Sequence, residues 1–223
     1  MIRRICCLAL MLAACVGMST CVRGDEPAAL PKVVLIGDSI RLSYAPTVIR
    51  ELDGKAIISQ PKANGQDSAN VLRHLDEWAV KEQPAIVHFN CGIHDTKKDK
   101  TTGAFQVPPE QYEANLRKIV ATLREKTQAQ VIFATTTPIV DDRAARLRAD
   151  REYELLDAST QEYNRIAVKV MQELEVPVDD LRAVCGDADE QRRLINADGV
   201  HFNAEGQSRL GHAVATCILE HLP

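Results

Sequence analysis

Short unbroken apolar runs alternate along this chain with longer stretches in which apolar residues recur every three or four positions. Lys32-Val33-Val34-Leu35-Ile36, Ala85-Ile86-Val87-His88-Phe89 and Val131-Ile132-Phe133-Ala134 are the clearest runs. None alternates apolar with polar, so each predicts a strand buried on both faces, as in a parallel sheet. Ala56-Ile57-Ile58 and Val176-Pro177-Val178 are weaker runs of the same kind. Between the runs, Val71, Leu72, Leu75 and Trp78 share one helical face. Tyr112, Leu116, Ile119, Val120 and Leu123 share another, and Tyr163, Ile166, Val170, Met171 and Leu174 a third. Leu210, Val214, Cys217 and Ile218 form the last. Each set has the period of an amphipathic helix. Strand and helix therefore alternate, which predicts an α/β domain over 32–223: a parallel sheet, five strands by this reading, with helices on both sides. In that architecture ligands bind beyond the carboxyl ends of the strands.

The first 24 residues stand outside this pattern. Arg3 and Arg4 precede an apolar run from Ile5 to Met18, too short to span a bilayer comfortably, and small and polar residues follow. This predicts an export signal over 1–24, joined to the domain by a linker over 25–31. Two endings compete: Val22-Arg23-Gly24 before Asp25 resembles a signal-peptidase site, and Leu12-Ala13-Ala14-Cys15 resembles a lipobox that would lipidate Cys15. The expected location is therefore periplasmic or extracellular, free or lipid-anchored. Removal of the leader leaves 24 basic and 31 acidic residues, a net charge near −7. Such a surface disfavours nucleic acid and adhesion to anionic membranes through a basic patch. No later segment is apolar enough over sufficient length to cross a membrane. Three cysteines remain after the leader, Cys91, Cys185 and Cys217. They have no zinc-binding spacing; a Cys185–Cys217 disulfide and buried free thiols are both open readings.

The chemistry-bearing residues fall where strands end. Ser39 follows the first run directly, in Gly37-Asp38-Ser39. A serine there, opening a helix, presents its hydroxyl and its backbone N–H to the same space, a nucleophile and an oxyanion donor together. Taken alone, Asp-Ser equally reads as a helix cap. Near the other end of the chain stands Asp198-Gly199-Val200-His201. A carboxylate three residues before a histidine can reach its Nδ1 across a short turn and fix the tautomer that lets Nε2 accept a proton. Asn203 then suits the cap of the final helix. Asn64-Gly65-Gln66 follows the second strand, and Asn90-Cys91-Gly92-Ile93-His94-Asp95 follows the third. Gly65 permits close backbone approach to a ligand.

These four blocks, in this order, resemble the SGNH (GDSL-like) hydrolases over nearly all of residues 32–221. Gly37-Asp38-Ser39 is similar to the family's nucleophile block, Gly65 to its oxyanion glycine, and Asp198-Gly199-Val200-His201 to its last block. Thr135-Thr136-Thr137-Pro138 looks like the family's threonine-rich strand end. The resemblance implies a flavodoxin-like three-layer α/β/α sandwich and ester hydrolysis without a cofactor or metal. It casts Ser39, His201 and Asp198 as a triad and the backbone N–H groups of Ser39 and Gly65 as oxyanion donors. One block departs. Where the family has Gly-x-Asn-Asp, this chain has Gly92-Ile93-His94-Asp95, so His94 replaces the asparagine that donates to the oxyanion. An imidazole N–H can also donate, and Asn90 is a second candidate donor at the same rim. Arg41, Asn64 and Asp95 are candidate substrate contacts; Arg41 is equally a partner for an acid on its own helix.

The expected function is hydrolysis of small acyl esters, acetyl foremost, on extracellular carbohydrate. The alternative keeps the fold without turnover, a carbohydrate-binding module, and rests on the His94 replacement. A metal hydrolase built on His94, Asp95, Asp198 and His201 leaves Gly-Asp-Ser unexplained and matches no metal spacing. The charged stretch 139–152 is either a substrate-facing loop or a solvated helix face.

Overall fold

A computed structural model describes residues 29–223; the expected signal, the lipobox at Cys15 and most of the linker lie outside the described residues. Five strands, β1 (Lys32–Ile36), β2 (Ile57–Ser59), β3 (Ile86–Phe89), β5 (Gln130–Ala134) and β7 (Val178–Asp179), form one parallel sheet in the order β2-β1-β3-β5-β7. This is the doubly wound, flavodoxin-like order. Helices α1 (Ser39–Glu51) and α8 (Ala204–Leu219) cover one face, and α2 (Ser68–Trp78), α3 (Pro109–Lys126) and α5 (Asp157–Glu173) cover the other.

The alternation of side chains along each strand divides the core in two. Val33, Leu35, Ile132 and Ala134 pack on the α1/α8 side, whereas Val34, Ile36, Val131 and Phe133 pack under α2, α3 and α5. Both sets are buried, which explains why the runs are continuously apolar. Phe89 meets Phe133 edge-on, and Tyr112 and Tyr163 stack obliquely beside them. His88 and Asp179 are polar strand residues on the α1/α8 side: His88 is fully buried, its Nε2 2.9 Å from Asp179 Oδ2 across β5.

The pattern of the sequence leaves several elements unannounced. Strands β4 (Lys98–Asp99) and β6 (Tyr153–Glu154) form a separate two-stranded antiparallel sheet, and two residues are too few to carry a period. Three short helices, α4 (Asp141–Leu147), α6 (Leu181–Val184) and α7 (Ala188–Leu194), are likewise one or two turns long, and only α4 falls in a stretch read as a helix face. Cys91, Cys185 and Cys217 are all free thiols, so the Cys185–Cys217 bridge is not formed. Cys185 instead donates its S–H to the Leu181 carbonyl at 3.2 Å. Among the described residues, no helix is long and apolar enough to cross a membrane.

Candidate active site

Ser39 is the first residue of α1, directly beyond the carboxyl end of β1. Asp38 caps the helix, its carboxylate accepting the Ile40 N–H at 2.8 Å. The half-buried Ser39 hydroxyl lies 2.8 Å from His201 Nε2. On the far side of the ring, His201 Nδ1 lies 2.5 Å from Asp198 Oδ2. The other oxygen, Asp198 Oδ1, accepts the backbone N–H groups of Val200 and His201, each at 2.9 Å. Burial alone would raise this carboxyl, but those N–H groups and the His201 ring hold it below the usual carboxylate range. An ionised Asp198 keeps the proton on Nδ1, so Nε2 faces Ser39 as an acceptor. The His201 side chain is 41% exposed, which leaves this chain of groups open to solvent.

The Asp198–His201 turn is held from behind. Gly199 has φ of 75°, and a Cβ there would stand 2.4 Å from the Ala144 nitrogen. The turn therefore lies directly against α4, and Val140 N–H donates to the Gly199 carbonyl at 2.9 Å. Arg148 donates to the Asp198 carbonyl at 2.8 Å, and Arg143 to the Arg192 carbonyl at 2.8 Å. The charged stretch 139–152 thus buttresses the histidine turn through α4 and two arginines; Asp141, Asp142 and Arg146 supply its solvated face. The buried Thr135–Thr137 segment is held in place too, Asn164 bonding both the N–H and the carbonyl of Thr136.

The remaining predicted positions divide. His94 is partly buried and its ring forms no hydrogen bond among the described residues, so its ring nitrogens are free. Burial, with the charge of Lys97, pushes it down to about 4, and the nearby His201 adds in the same direction. The ring is therefore neutral above about pH 5. The Ser39 N–H also has no acceptor among the described residues.

Gly65 corrects the expectation, and Asn90 has one of its two amide N–H groups engaged. The Gly65 N–H donates to the Gly37 carbonyl at 2.9 Å, and a Cβ on Gly65 would stand 2.7 Å from that same oxygen. Its glycine serves close contact with the nucleophile turn, and its N–H is occupied. Asn90 donates its side-chain amide to the Ala134 carbonyl at 2.7 Å, tying the ends of β3 and β5 below the rim.

The three candidate substrate contacts also resolve. Arg41 is 1% exposed and faces away from the rim; its guanidinium donates to four oxygens, none of them a carboxylate. Asp95 is fully buried and accepts the Ser68 N–H and hydroxyl, which fixes the start of α2. Burial raises its carboxyl to about 7, against the hydrogen bonds from Ser68. Asn64 remains partly exposed, its Oδ1 accepting the Gln66 N–H at 2.8 Å. Among the described residues, no three His, Cys, Asp or Glu side chains converge as metal ligands.

A hydroxyl, an imidazole and a carboxylate linked in this order, beyond the carboxyl ends of a parallel sheet, define a serine hydrolase of the α/β class. Residues 36–209 match the family model described as the GDSL-like Lipase/Acylhydrolase family, and the chain belongs to that family. It is a serine ester hydrolase. It is 24% identical over 205 residues to the GDSL esterase/lipase CPRD49 of Arabidopsis thaliana, covering 86% of this chain and 80% of the relative. The fold superposes on the crystal structure of a lipase/acylhydrolase from Enterococcus faecalis with a TM-score of 0.72, at 22% identity over 87% of this chain and 98% of that one. It superposes on the acetyl xylan esterase AlAXEase with a TM-score of 0.67, at 16% identity over 84% and 99%.

Proposed function

We propose that the protein is an exported esterase that removes small acyl groups, acetyl foremost, from extracellular carbohydrate. The observation that carries the mechanism is the unbroken hydrogen-bonded chain from Ser39 Oγ through His201 to Asp198. His201 Nε2 takes the Ser39 proton as Oγ attacks the ester carbonyl. The tetrahedral oxyanion is held by the Ser39 N–H and by the neutral His94 ring, whose N–H takes the place of an amide donor. His201 then protonates the leaving alcohol and activates the water that releases the acyl group. Asp198 stays ionised and orients the ring. No metal or cofactor enters these steps.

The substrate class rests on three supports. The net charge near −7 outside the leader disfavours polyanionic substrates. The solvent-open His201 suits an acyl group carried on a bulky polymer. A fold of the same shape serves an acetyl xylan esterase. The leader over 1–24 has the pattern of an export signal, which puts the enzyme where such polymers occur.

The test is hydrolysis of a short activated acetyl ester by wild type beside Ser39→Ala, with fluorophosphonate labelling of both, followed by acetylated xylan. Turnover and labelling that vanish together in Ser39→Ala establish the serine mechanism, and acetate release from xylan establishes the substrate. A folded wild type that neither turns over nor labels, yet binds xylan, supports the binding-module reading instead.

A further inference from the structure

We propose that Arg41 is a positioning residue: its buried guanidinium locks the loop 60–65 to the nucleophile turn and so sets the geometry of the oxyanion donors. Nη1 donates to Gln60 Oε1 at 2.8 Å and to the Pro61 carbonyl at 3.0 Å. Nη2 donates to the Ala63 carbonyl at 2.9 Å and to the Gly37 carbonyl at 3.1 Å. One side chain on α1 thus holds three residues of the loop after β2 and the residue that precedes Asp38-Ser39. The Gly37 oxygen also accepts the Gly65 N–H, so both of its lone pairs bind the loop to the turn. A planar fork reaches four acceptors at once; the three donors of an ammonium on a flexible stem do not.

The loop carries the tie onward. Asn70, on α2, donates its amide to the Gly65 carbonyl at 3.0 Å. Two residues earlier, Ser68 N–H and Oγ meet Asp95, the neighbour of His94. Hydrogen bonds at Arg41, Gly65 and Asn70, and at Ser68 and Asp95, joined through the first turn of α2, therefore link the Ser39 turn to the His94 turn. His201 and Asp198 lie outside this path. Loss of the clamp should displace the Ser39 N–H and the His94 ring relative to one another while leaving the His201–Asp198 pair in place. Displacements on the order of 1 Å at such sites cost about 10²-fold in rate.

The inference rests on the esterase reading, and its test separates the two. Arg41→Lys is compared with wild type on the activated acetyl ester, with thermal melting and amide hydrogen exchange across 60–68. The expected result is a fall in kcat of roughly 10–100-fold, KM within about twofold, an unchanged acid limb of the pH profile, and faster exchange confined to 60–68. Leu123→Ala, a core truncation in the opposite layer, serves as the stability control and should lower the melting temperature without the drop in kcat. Gln60→Ala, which removes one acceptor, should show a smaller fall of the same kind even if Arg41→Lys does not fold. Arg41→Lys with near wild-type kcat, or Gln60→Ala with neither slower turnover nor faster exchange at 60–68, overturns the proposal. The exchange measurement needs no turnover, so an inactive wild type would defeat the esterase reading and still leave the clamp tested.

Discussion

His94 shows how burial decides the chemistry of a single side chain. A histidine at an oxyanion rim could act as a cation or as a neutral donor, and the sequence leaves both open. Enclosure and Lys97 lower its pKa to about 4, so the ring is neutral under ordinary assay conditions. His94→Ala should lower kcat by about 10²–10³ with little change in KM, because the lost bond forms only with the transition state. His94→Asn should recover most of that loss by restoring a donor. Above about pH 5 the pH–rate profiles of wild type and His94→Asn should have the same shape. A titration step present in wild type and missing from His94→Asn would mean that the imidazole ionises during turnover. Arg41 carries a related lesson. Two residues beyond Ser39 on a helix is a rotation of about 200°, so Arg41 must point away from the rim. That signal was present in the sequence and argues against substrate contact before any contact is seen.

At the scale of elements, the site depends on turns pressed against neighbours rather than on the long helices. The Asp198–His201 turn needs Gly199 both for its left-handed backbone and for its contact with α4. Gly199→Ala should cost at least about 1–2 kcal/mol from the backbone alone, or several degrees of melting temperature in a chain of this size. It should also weaken turnover, since the carboxylate and the imidazole share that turn. Melting curves and kcat measured on the same preparation check both, and a variant with wild-type values for each would show that α4 yields without consequence. The motif spacing made the turn legible. A helix was one of two readings of 139–152, but its contact with the turn was not legible, because the only buried residues there, Ile139, Val140 and Ala144, are too few to mark a packed face.

Across the whole molecule, both cores carry buried polar groups. Asp38, Arg41, Tyr44 and the His88–Asp179 pair lie on the α1/α8 side, and Ser68, Asp95 and Asn115 form a bonded cluster on the α2/α3/α5 side. Buried acids link stability to pH. Asp95 has a folded value of about 7 against an ordinary 3.8, so folding favours its protonated form. That contribution is fully present below about pH 4 and is lost as pH rises through 7. Wild type should therefore lose stability relative to Asp95→Asn between pH 4 and 7, as read by melting temperature across that range. Parallel curves would show that Ser68 stabilises the carboxylate as fully as burial penalises it.

The amino-acid sequence alone determined the alternation of strand and helix, the parallel buried sheet, the placement of Ser39 and His94 after strands, and that of the Asp198–His201 block just before the last helix. Those properties follow from periodicity and spacing, which act over a few residues. Tertiary structure alone decided the contact between Ser39 and His201, 162 positions apart and 2.8 Å from hydroxyl to ring. It also decided that Gly65 and Asn90 each give an N–H to a carbonyl, which acceptors Arg41 meets, that Asp95 turns inward, and that the His94 ring is left free. Which donor is occupied, and which charge is buried, depends on groups brought together from distant parts of the chain, and no local pattern records those neighbours.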